Sequence, residues 1–555
     1  MNKKVCSFPI LFALLALLIG ACAVVFPASA QAAPTSTGSI TVSGTVARSY
    51  DAYQIFSANV VDGDGDAKIA TDLAWASDAV RAAALPVMHS DGMPNSQTTA
   101  QEAAEWLNTD SHLTSALSAQ LARSLQSSGA VPVALNAGTT AELPCGYWLI
   151  VADDDAIAQD EAGTAPIMAL VGGSAVTVKP KAATPKVAKH VLEDSTDAWQ
   201  KAADATVADD LYWRLSATVP AGLTAYDTYT VRFVDTMGAG LDPSKVAASM
   251  HVYVAAGADG GFDAVQTGKD GRAGTEPAKG WTDITAQCAT KVAADGTFTV
   301  RTGDLIAALG GADAFTAGAR VVAVYNAPLN SACNHGIAKG NPNEVYLRYP
   351  RSPFADQSGD AGFTRTPSDD ACAYTWDLAL TKRGSDGDKP LAGAVLSIAD
   401  DRGRTLAADG TWDAEGKATV TTGEDGRVTV SGVDSGKLEV RELKAPKGYT
   451  AFEGTRSVTV KAEGLDVDQV AAAKPKLTIT AESPLRADSA DGSTGSLEAS
   501  LINTPTGTPP SITTGGFMPS TGDMAMYAAA AAAVAGAALI VVALLVKRGG
   551  GSHKE

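Results

Sequence analysis

Six cysteines and six histidines are the residues of this chain whose chemistry spacing can test most directly. The histidines show no metal-ligand spacing. Asp62-Gly63-Asp64-Gly65-Asp66 opens like a calcium loop. Ala67 then takes the sixth position and Leu73 the twelfth, where an EF-hand needs Gly and a bidentate Glu, so a polar turn is the better reading. No Gly-rich phosphate loop precedes a helix, and no Gly-x-Ser-x-Gly elbow presents a nucleophile. Neither a metal nor a cofactor is expected. Cys6 and Cys22 lie in an apolar N-terminal stretch, which leaves Cys145, Cys288, Cys333 and Cys372. In an oxidising compartment four cysteines allow three pairings. Cys288 with Cys333 inside one domain is favoured, whereas Cys145, in the apolar run Leu143 to Val151, reads as a buried strand residue.

The elements that must position any chemistry are framed by two apolar ends. Lys3 and Lys4 precede an apolar stretch from Ile10 to Phe26, and Ala28-Ser29-Ala30 offers the small-x-small pattern of a signal-peptidase site. At the other end an apolar run from Met524 to Val546 is followed by Lys547 and Arg548. It is long enough to cross a bilayer as a helix, which needs about 20 apolar residues, and the basic pair would keep the tail cytoplasmic. The length between these ends suggests three domains of roughly 100 to 200 residues. A formal net charge of −18 argues against a nucleic-acid surface, which needs clustered Lys and Arg. With 54 glycines, aromatic residues at only 6% and abundant Thr, Val and Asp, the composition suits β-sandwiches with many turns.

Along the chain, strand-like segments at Ser39 to Ser43 and Tyr50 to Phe56 are followed by a helical insert. There Trp106, Leu113, Leu117, Leu121 and Leu125 fall on one face and Gly129 ends the pattern. Strands resume at Tyr147 to Val151, Met168 to Val171 and Ala175 to Val178. Lys179-Pro180-Lys181-Ala182-Ala183-Thr184-Pro185 then reads as an extended linker between domains.

Two motifs carry a resemblance. Met518-Pro519-Ser520-Thr521-Gly522, followed by the apolar span and basic tail, resembles the cell-wall sorting signal of Gram-positive surface proteins, with Met518 where that family usually has Leu. Val176-Thr177-Val178-Lys179-Pro180-Lys181 resembles the pilin motif of sortase-assembled backbone pilins, with Lys179 where Tyr is usual and Lys181 matching the linking lysine. Two further stretches resemble collagen-adhesin-type Ig-like repeats of such pilins. One runs from Pro185-Lys186-Val187-Ala188-Lys189 to Asn341-Pro342-Asn343. The other runs from Trp376-Asp377-Leu378-Ala379-Leu380-Thr381-Lys382 through the E-box-like Leu438-Glu439-Val440-Arg441-Glu442 to Asn503. The implied fold is mainly β, with three tandem Ig-like β-sandwich domains, the first bearing the helical insert. The expected layout is a signal peptide at 1–33, an N-terminal pilin domain at 34–180, a middle isopeptide domain at 181–355 and a C-terminal isopeptide domain at 370–504. A spacer at 505–517 and the sorting signal, transmembrane helix and basic tail at 518–555 complete it.

What the resemblance implies about chemistry is an internal amide in each Ig-like domain, between a Lys on an early strand and an Asn on the last. In the middle domain the carried-over set is Lys189, Asp235 and Asn343, with Asn341 a competing acceptor. In the C-terminal domain it is Lys382, Glu442 and Asn503, and the first domain offers no equivalent set. The residue types suit the reaction. An ammonium is no nucleophile, and desolvation lowers a lysine pKa. The same burial raises a carboxyl pKa, leaving a neutral acid that polarises the carboxamide and passes a proton to departing ammonia.

The resemblance therefore implies the major structural subunit of a covalently polymerised surface pilus. Thr521 of one subunit would be joined by a pilus-specific sortase to Lys181 of the next. The implied protein is not an enzyme beyond its own amide formation. Its implied partners are copies of itself, tip and basal pilins, peptidoglycan and a host surface ligand, and its location is the cell wall, reached through a membrane-anchored precursor. A wall-anchored adhesin or basal pilin is the alternative, and a secreted wall-active enzyme would need a catalytic cleft that the motifs do not offer.

Overall fold

Alternation of inward and outward residues builds most of the chain, as the strand Asn341–Pro350 illustrates. It buries Asn341, Asn343, Val345, Leu347 and Tyr349 and turns the residues between them outward for most of its length. The computed structural model describes residues 36–507 apart from 45–47, 110–111, 154–156, 158, 181–183, 224, 269–270, 339 and 354. Over this range the protein is mainly β and consists of three consecutive sandwich modules. Among the described residues no helix is long and apolar enough to cross a membrane. The expected signal peptide, spacer, sorting motif and apolar C-terminal span lie outside the described residues.

In the first module, a five-stranded sheet centred on Ser49–Asp62 and Gly146–Ala152 packs near a three-stranded sheet in which Thr37–Val42 is central. Val176–Val178 closes the module by pairing in parallel with Thr37–Val42. The helical insert is three helices, Asp78–Ser90, Ala100–Asn108 and Ser115–Ser127. The single stripe expected from sequence is thus divided. Trp106 lies on the second helix, Leu117, Leu121 and Leu125 lie on the third, and Leu113 sits in the connection. The break is local chemistry. Thr114 caps the third helix by accepting from the Leu117 backbone, and Thr99 and Glu102 form a capping box on the second. All five side chains still pack into one core with Phe56, Tyr147 and Leu149.

The second module stacks a six-stranded sheet containing Lys186–Glu193, Tyr212–Val219 and Ala319–Asn326 on a seven-stranded sheet containing Arg232–Met237 and Asn341–Pro350. Trp213, Phe233, Phe298 and Tyr325 fill the space between them, each 0–1% exposed. The seven-stranded sheet also takes in Asp369–Tyr374, paired antiparallel with Asn341–Pro350. The expected start of the C-terminal domain, residue 370, thus falls within a strand of the second module. The chain turns from one module to the next at Thr375, with no Pro or Gly to mark the change. The first module reaches into the second as well: Ala162 is buried in the second core, and Gly163 N–H donates to Arg351 O at 2.6 Å.

In the third module, Trp376–Gly384 and Ser496–Pro505 lie side by side and parallel, Lys382 facing Leu501 and Gly384 facing Asn503. The opposing sheet carries Gly436–Lys444 at its centre.

The second and third modules meet over a cluster of carboxylates. Asp204 accepts from Trp376 Nε1 and from the Ser435 backbone at 2.9 Å, while Glu193 accepts from the Asp204 backbone. Asp434 hydrogen-bonds to Asp194 and Asp204, and Arg402 reaches Asp194 at 3.6 Å. Burial, and next Asp204, push the Glu193 carboxyl up to about 8, and Asp194 and Asp434 are raised for the same first reason. An acid whose folded pKa is raised binds more protons folded than unfolded. Its contribution is therefore complete below its unfolded pKa and is lost as pH rises through the folded one. The unfolding temperature of this pair of modules is expected to fall as pH rises from about 4.5 to about 8, the range set for Glu193. Glu193→Gln should flatten that slope in a calorimetric pH series, and an unchanged slope would remove Glu193 as its source.

Candidate functional site

The candidate site is double and lies inside two sandwiches. In the second module Lys189 hangs from the six-stranded sheet into the gap, while Asp235 and Asn343 come from neighbouring strands of the other sheet, and all three are fully buried. Lys189 Nζ forms an ion pair with Asp235 Oδ2 and donates to the Tyr325 hydroxyl at 3.0 Å. That hydroxyl donates to Asp235 Oδ2 at 3.2 Å and accepts from Asn343 Nδ2 at 2.9 Å. Rings of Trp213 and Tyr325 each stand 5.5 Å from the amine. Burial drives the Lys189 amine down to about 8 against the pull of Asp235, and burial lifts the Asp235 carboxyl to about 6 despite Lys189. Burial thus draws the proton affinities of amine and acid towards each other, so that passing the ammonium proton to the acid is less costly here than between exposed groups.

Asn341 and Asn343 differ in how their amides are used. Asn341 Oδ1 accepts from the Asn334 backbone at 2.8 Å, and its Nδ2 donates to Asn334 O at 2.9 Å and Ala373 O at 3.1 Å. Asn343 Oδ1 is buried without a hydrogen-bond partner. An orphaned buried carbonyl is costly in a finished fold, and this one belongs to the residue that shares Tyr325 with the amine. Asn343→Ala should therefore abolish loss of ammonia from the second module while Asn341→Ala leaves it, read by intact mass after peptide mapping. The opposite pattern would reassign the acceptor to Asn341.

In the third module the geometry is arranged differently. Lys382 and Asn503 lie on adjacent parallel strands of one sheet, and Glu442 faces them from the other. Lys382 is 0% exposed, Asn503 2% and Glu442 6%. Glu442 Oε1 is 3.4 Å from Lys382 Nζ and 2.9 Å from Asn503 Nδ2, so one oxygen stands between amine and carboxamide. Glu442 Oε2 accepts from the same Nδ2 at 3.0 Å and from the Phe452 backbone at 3.1 Å. Asn503 Oδ1, like Asn343 Oδ1, is buried without a partner. Burial lowers the Lys382 amine to about 8, opposed by Glu442.

Other residues singled out from sequence fall elsewhere. Lys181 and the Met518-Pro519-Ser520-Thr521-Gly522 motif lie outside the described residues. Val178 is buried in the first core and Lys179 is exposed, so the chain leaves the module at that point. Asp62 is taken up by the Ser174 backbone and hydroxyl and by Lys68. The four cysteines are free thiols. The favoured Cys288–Cys333 pair is not formed: Cys288 Sγ donates to Ile284 O, and Cys333 Sγ stands 3.6 Å from His335 Nε2. His335 Nδ1 lies 2.8 Å from Asp377, beside a cleft of about 570 Å³ between the second and third modules. Burial first, then Asp377, raise the Cys333 thiol, which rests protonated. Tyr325 is the participant that sequence reasoning missed. It stands at the end of an ordinary apolar run, Val321 to Tyr325, and nothing in the sequence distinguishes it from a core residue.

These features define a class: a tandem of Ig-like β-sandwiches, two of them holding a buried lysine, acid and asparagine in one hydrogen-bonded cluster. Residues 377–474, a segment of the third module, match the family model described as SpaA, prealbumin-like fold domain. The Trypsin-resistant surface T6 protein of Streptococcus pyogenes serotype M6 is 30% identical over 143 residues, 24% of this chain and 24% of that protein. The match thus spans about a quarter of the length of that relative. Among solved structures, the T6 backbone pilin of serotype M6 Streptococcus pyogenes aligns with TM-score 0.46 at 16% identity, covering 86% of this chain and all of that one. The full-length major pilin SpaD of Corynebacterium diphtheriae aligns with TM-score 0.40 at 14% identity, covering 85% and 98%. The names of these relatives describe surface or pilus proteins of Gram-positive bacteria.

Proposed function

We propose that this chain is the major shaft subunit of a covalently polymerised surface pilus, its second and third modules each locked by a self-formed Lys–Asn amide. The observation that carries the reading is the pair of buried sets, Lys189–Asp235–Asn343 and Lys382–Glu442–Asn503. In the third module the desolvated amine and the carboxamide both contact one carboxyl, and in the second the amine contacts the carboxyl while Tyr325 links both to the carboxamide. In this reading the neutral amine attacks the Asn side-chain carbonyl carbon, a new C–N bond forms and ammonia departs with a proton relayed from the amine through the acid. No cofactor takes part. A pilus-specific sortase joins Thr521 of one subunit to Lys181 of the next, and head-to-tail repetition without a closing rotation gives an open fibre. Tip and basal pilins, peptidoglycan and a host surface ligand are its further partners, and the precursor is held at the membrane until it is joined to the pilus or wall.

The two amides would carry load differently. In the third module the amide ties adjacent strands of one sheet, the first and the last. In the second it ties one sheet to the other across the core. The test is the intact mass of residues 34–517, the span that contains all three cores. A deficit of two ammonia molecules, mapped to Lys189–Asn343 and Lys382–Asn503 peptides, is expected, and the full unreacted mass would overturn the proposal.

A further inference from the structure

We propose that the Tyr325 hydroxyl is the proton relay of the second module's cross-link, a role that the third module fills with its acid alone. This rests on the proposed amide chemistry and adds a participant to it. The two sets differ in one respect. Glu442 accepts directly from Asn503 Nδ2 through both carboxylate oxygens. Asp235 has no such contact with Asn343; the hydrogen bond from Asn343 Nδ2 goes to Tyr325 instead. A shorter acid, Asp in place of Glu, faces the carboxamide here, and the tyrosine hydroxyl fills the gap.

The hydroxyl is used to capacity. It has one proton and two lone pairs, and it donates to Asp235 Oδ2 while accepting from Lys189 Nζ and Asn343 Nδ2. It therefore touches the nucleophile, the acid and the leaving group at once, fully buried. Phe298 packs edge-on at 4.9 Å between ring centroids and fixes the ring.

The step balances without any co-reactant. Lys189 first gives its extra proton to Asp235, leaving a neutral amine and a neutral acid. As Nζ bonds to the Asn343 side-chain carbonyl carbon, the Asp235 proton passes to the Tyr325 oxygen and the tyrosine proton passes to Nδ2. The carbon–Nδ2 bond then breaks and ammonia leaves. The surplus proton on Nζ passes to Asp235, so the phenol ends as it began and the acid ends neutral, holding the proton that the Lys189 ammonium brought. Burial raises the phenol well above its ordinary range, which keeps it a neutral conduit and prevents it from acting as a base in its own right.

The test follows ammonia loss by mass in freshly refolded residues 34–517, with peptides from the two modules resolved. In Tyr325→Phe the second module should react at least about 100-fold more slowly, the usual scale of a lost proton-transfer group, while the third module keeps the wild-type rate. Equal rates in Tyr325→Phe and wild type would overturn the relay and leave the amide intact. No loss from either module of the wild type would instead sink the proposed function itself. If Tyr325→Phe fails to fold by circular dichroism, replacement of Tyr325 by 3-fluorotyrosine decides. A relay changes rate and pH profile with the acidity of the phenol, whereas a hydroxyl that only packs leaves both unmoved and overturns the proposal.

Discussion

Replacing Lys382 with Met and Glu442 with Gln together will lower the unfolding temperature of the third module by about 15–25 °C and remove one ammonia from the mass deficit. The size follows from the loop that the amide closes. Lys382 and Asn503 are separated by almost the whole module, roughly 120 residues, and a cross-link of that span costs the unfolded chain about 5 kcal/mol of entropy. That is comparable with the net stability of a small domain. The double substitution is chosen because the alternative predicts another outcome. If Lys382 and Glu442 form only a buried ion pair, replacing both by uncharged side chains of similar volume is neutral or stabilising, because desolvation of the two charges offsets their attraction. A lone Lys382→Ala would not separate the cases, since it leaves a cavity and an uncompensated carboxyl under either. Calorimetry of the double variant beside the wild type checks the prediction. An unchanged or higher transition would show that no covalent link spans the module.

Burial makes the same point about conditions. The third-module amine must be neutral to react, and Lys382 stands at about 8 where an exposed lysine stands near 10. Once the amide has formed there is no amine left to titrate. Any stability that the pair lends before reaction would vary with pH, whereas the amide does not.

The strands that carry both sets were legible in the sequence because alternation and the motif residues agreed, and in the third module the lysine, acid and asparagine lie within contact of one another through Glu442. In the second module the same alternation could not decide between Asn341 and Asn343. Two residues apart on one strand share a face, so both are buried. Only the partners of each amide separate them, and those come from Asn334, Ala373 and Tyr325, which strand parity does not reveal. Tyr325 was invisible for a related reason: a tyrosine in an apolar strand reads as core, and its hydroxyl becomes informative only when another sheet brings Lys189 and Asn343 to it. The boundary near Thr375 was misplaced because the chain crosses between sandwiches without a turn. Asp369–Tyr374 then looks like the opening of the next module when it is an added strand of the previous one. The helical stripe misled differently. Trp106 and Leu113 are seven residues apart, two helical turns, so two short helices facing one core presented one continuous pattern.

Lys181→Ala will abolish the covalent ladder of subunits on the cell surface, leaving single subunits attached to the wall. The chain leaves the first sandwich at an exposed Lys179 immediately after buried Val178, so the segment that follows begins at the module surface with its preceding strand fixed by parallel pairing to Thr37–Val42. The sequence puts Lys181 two residues beyond that exposed position, and an acyl acceptor must be able to reach an enzyme-bound thioester or ester. Lys179→Ala is the companion variant. It removes a neighbouring amine of the same charge but keeps Lys181, and should leave the ladder intact, so the pair separates a specific acceptor from general loss of positive charge. Immunoblots of boiled wall extracts under denaturing conditions report the outcome. Loss of the ladder in Lys181→Ala together with retained amides in both modules would separate polymerisation from folding. Persistence of the ladder in that variant would move the chain to the class of wall-anchored adhesins or basal subunits, which share the sandwiches and the sorting motif but need no lysine acceptor at this position.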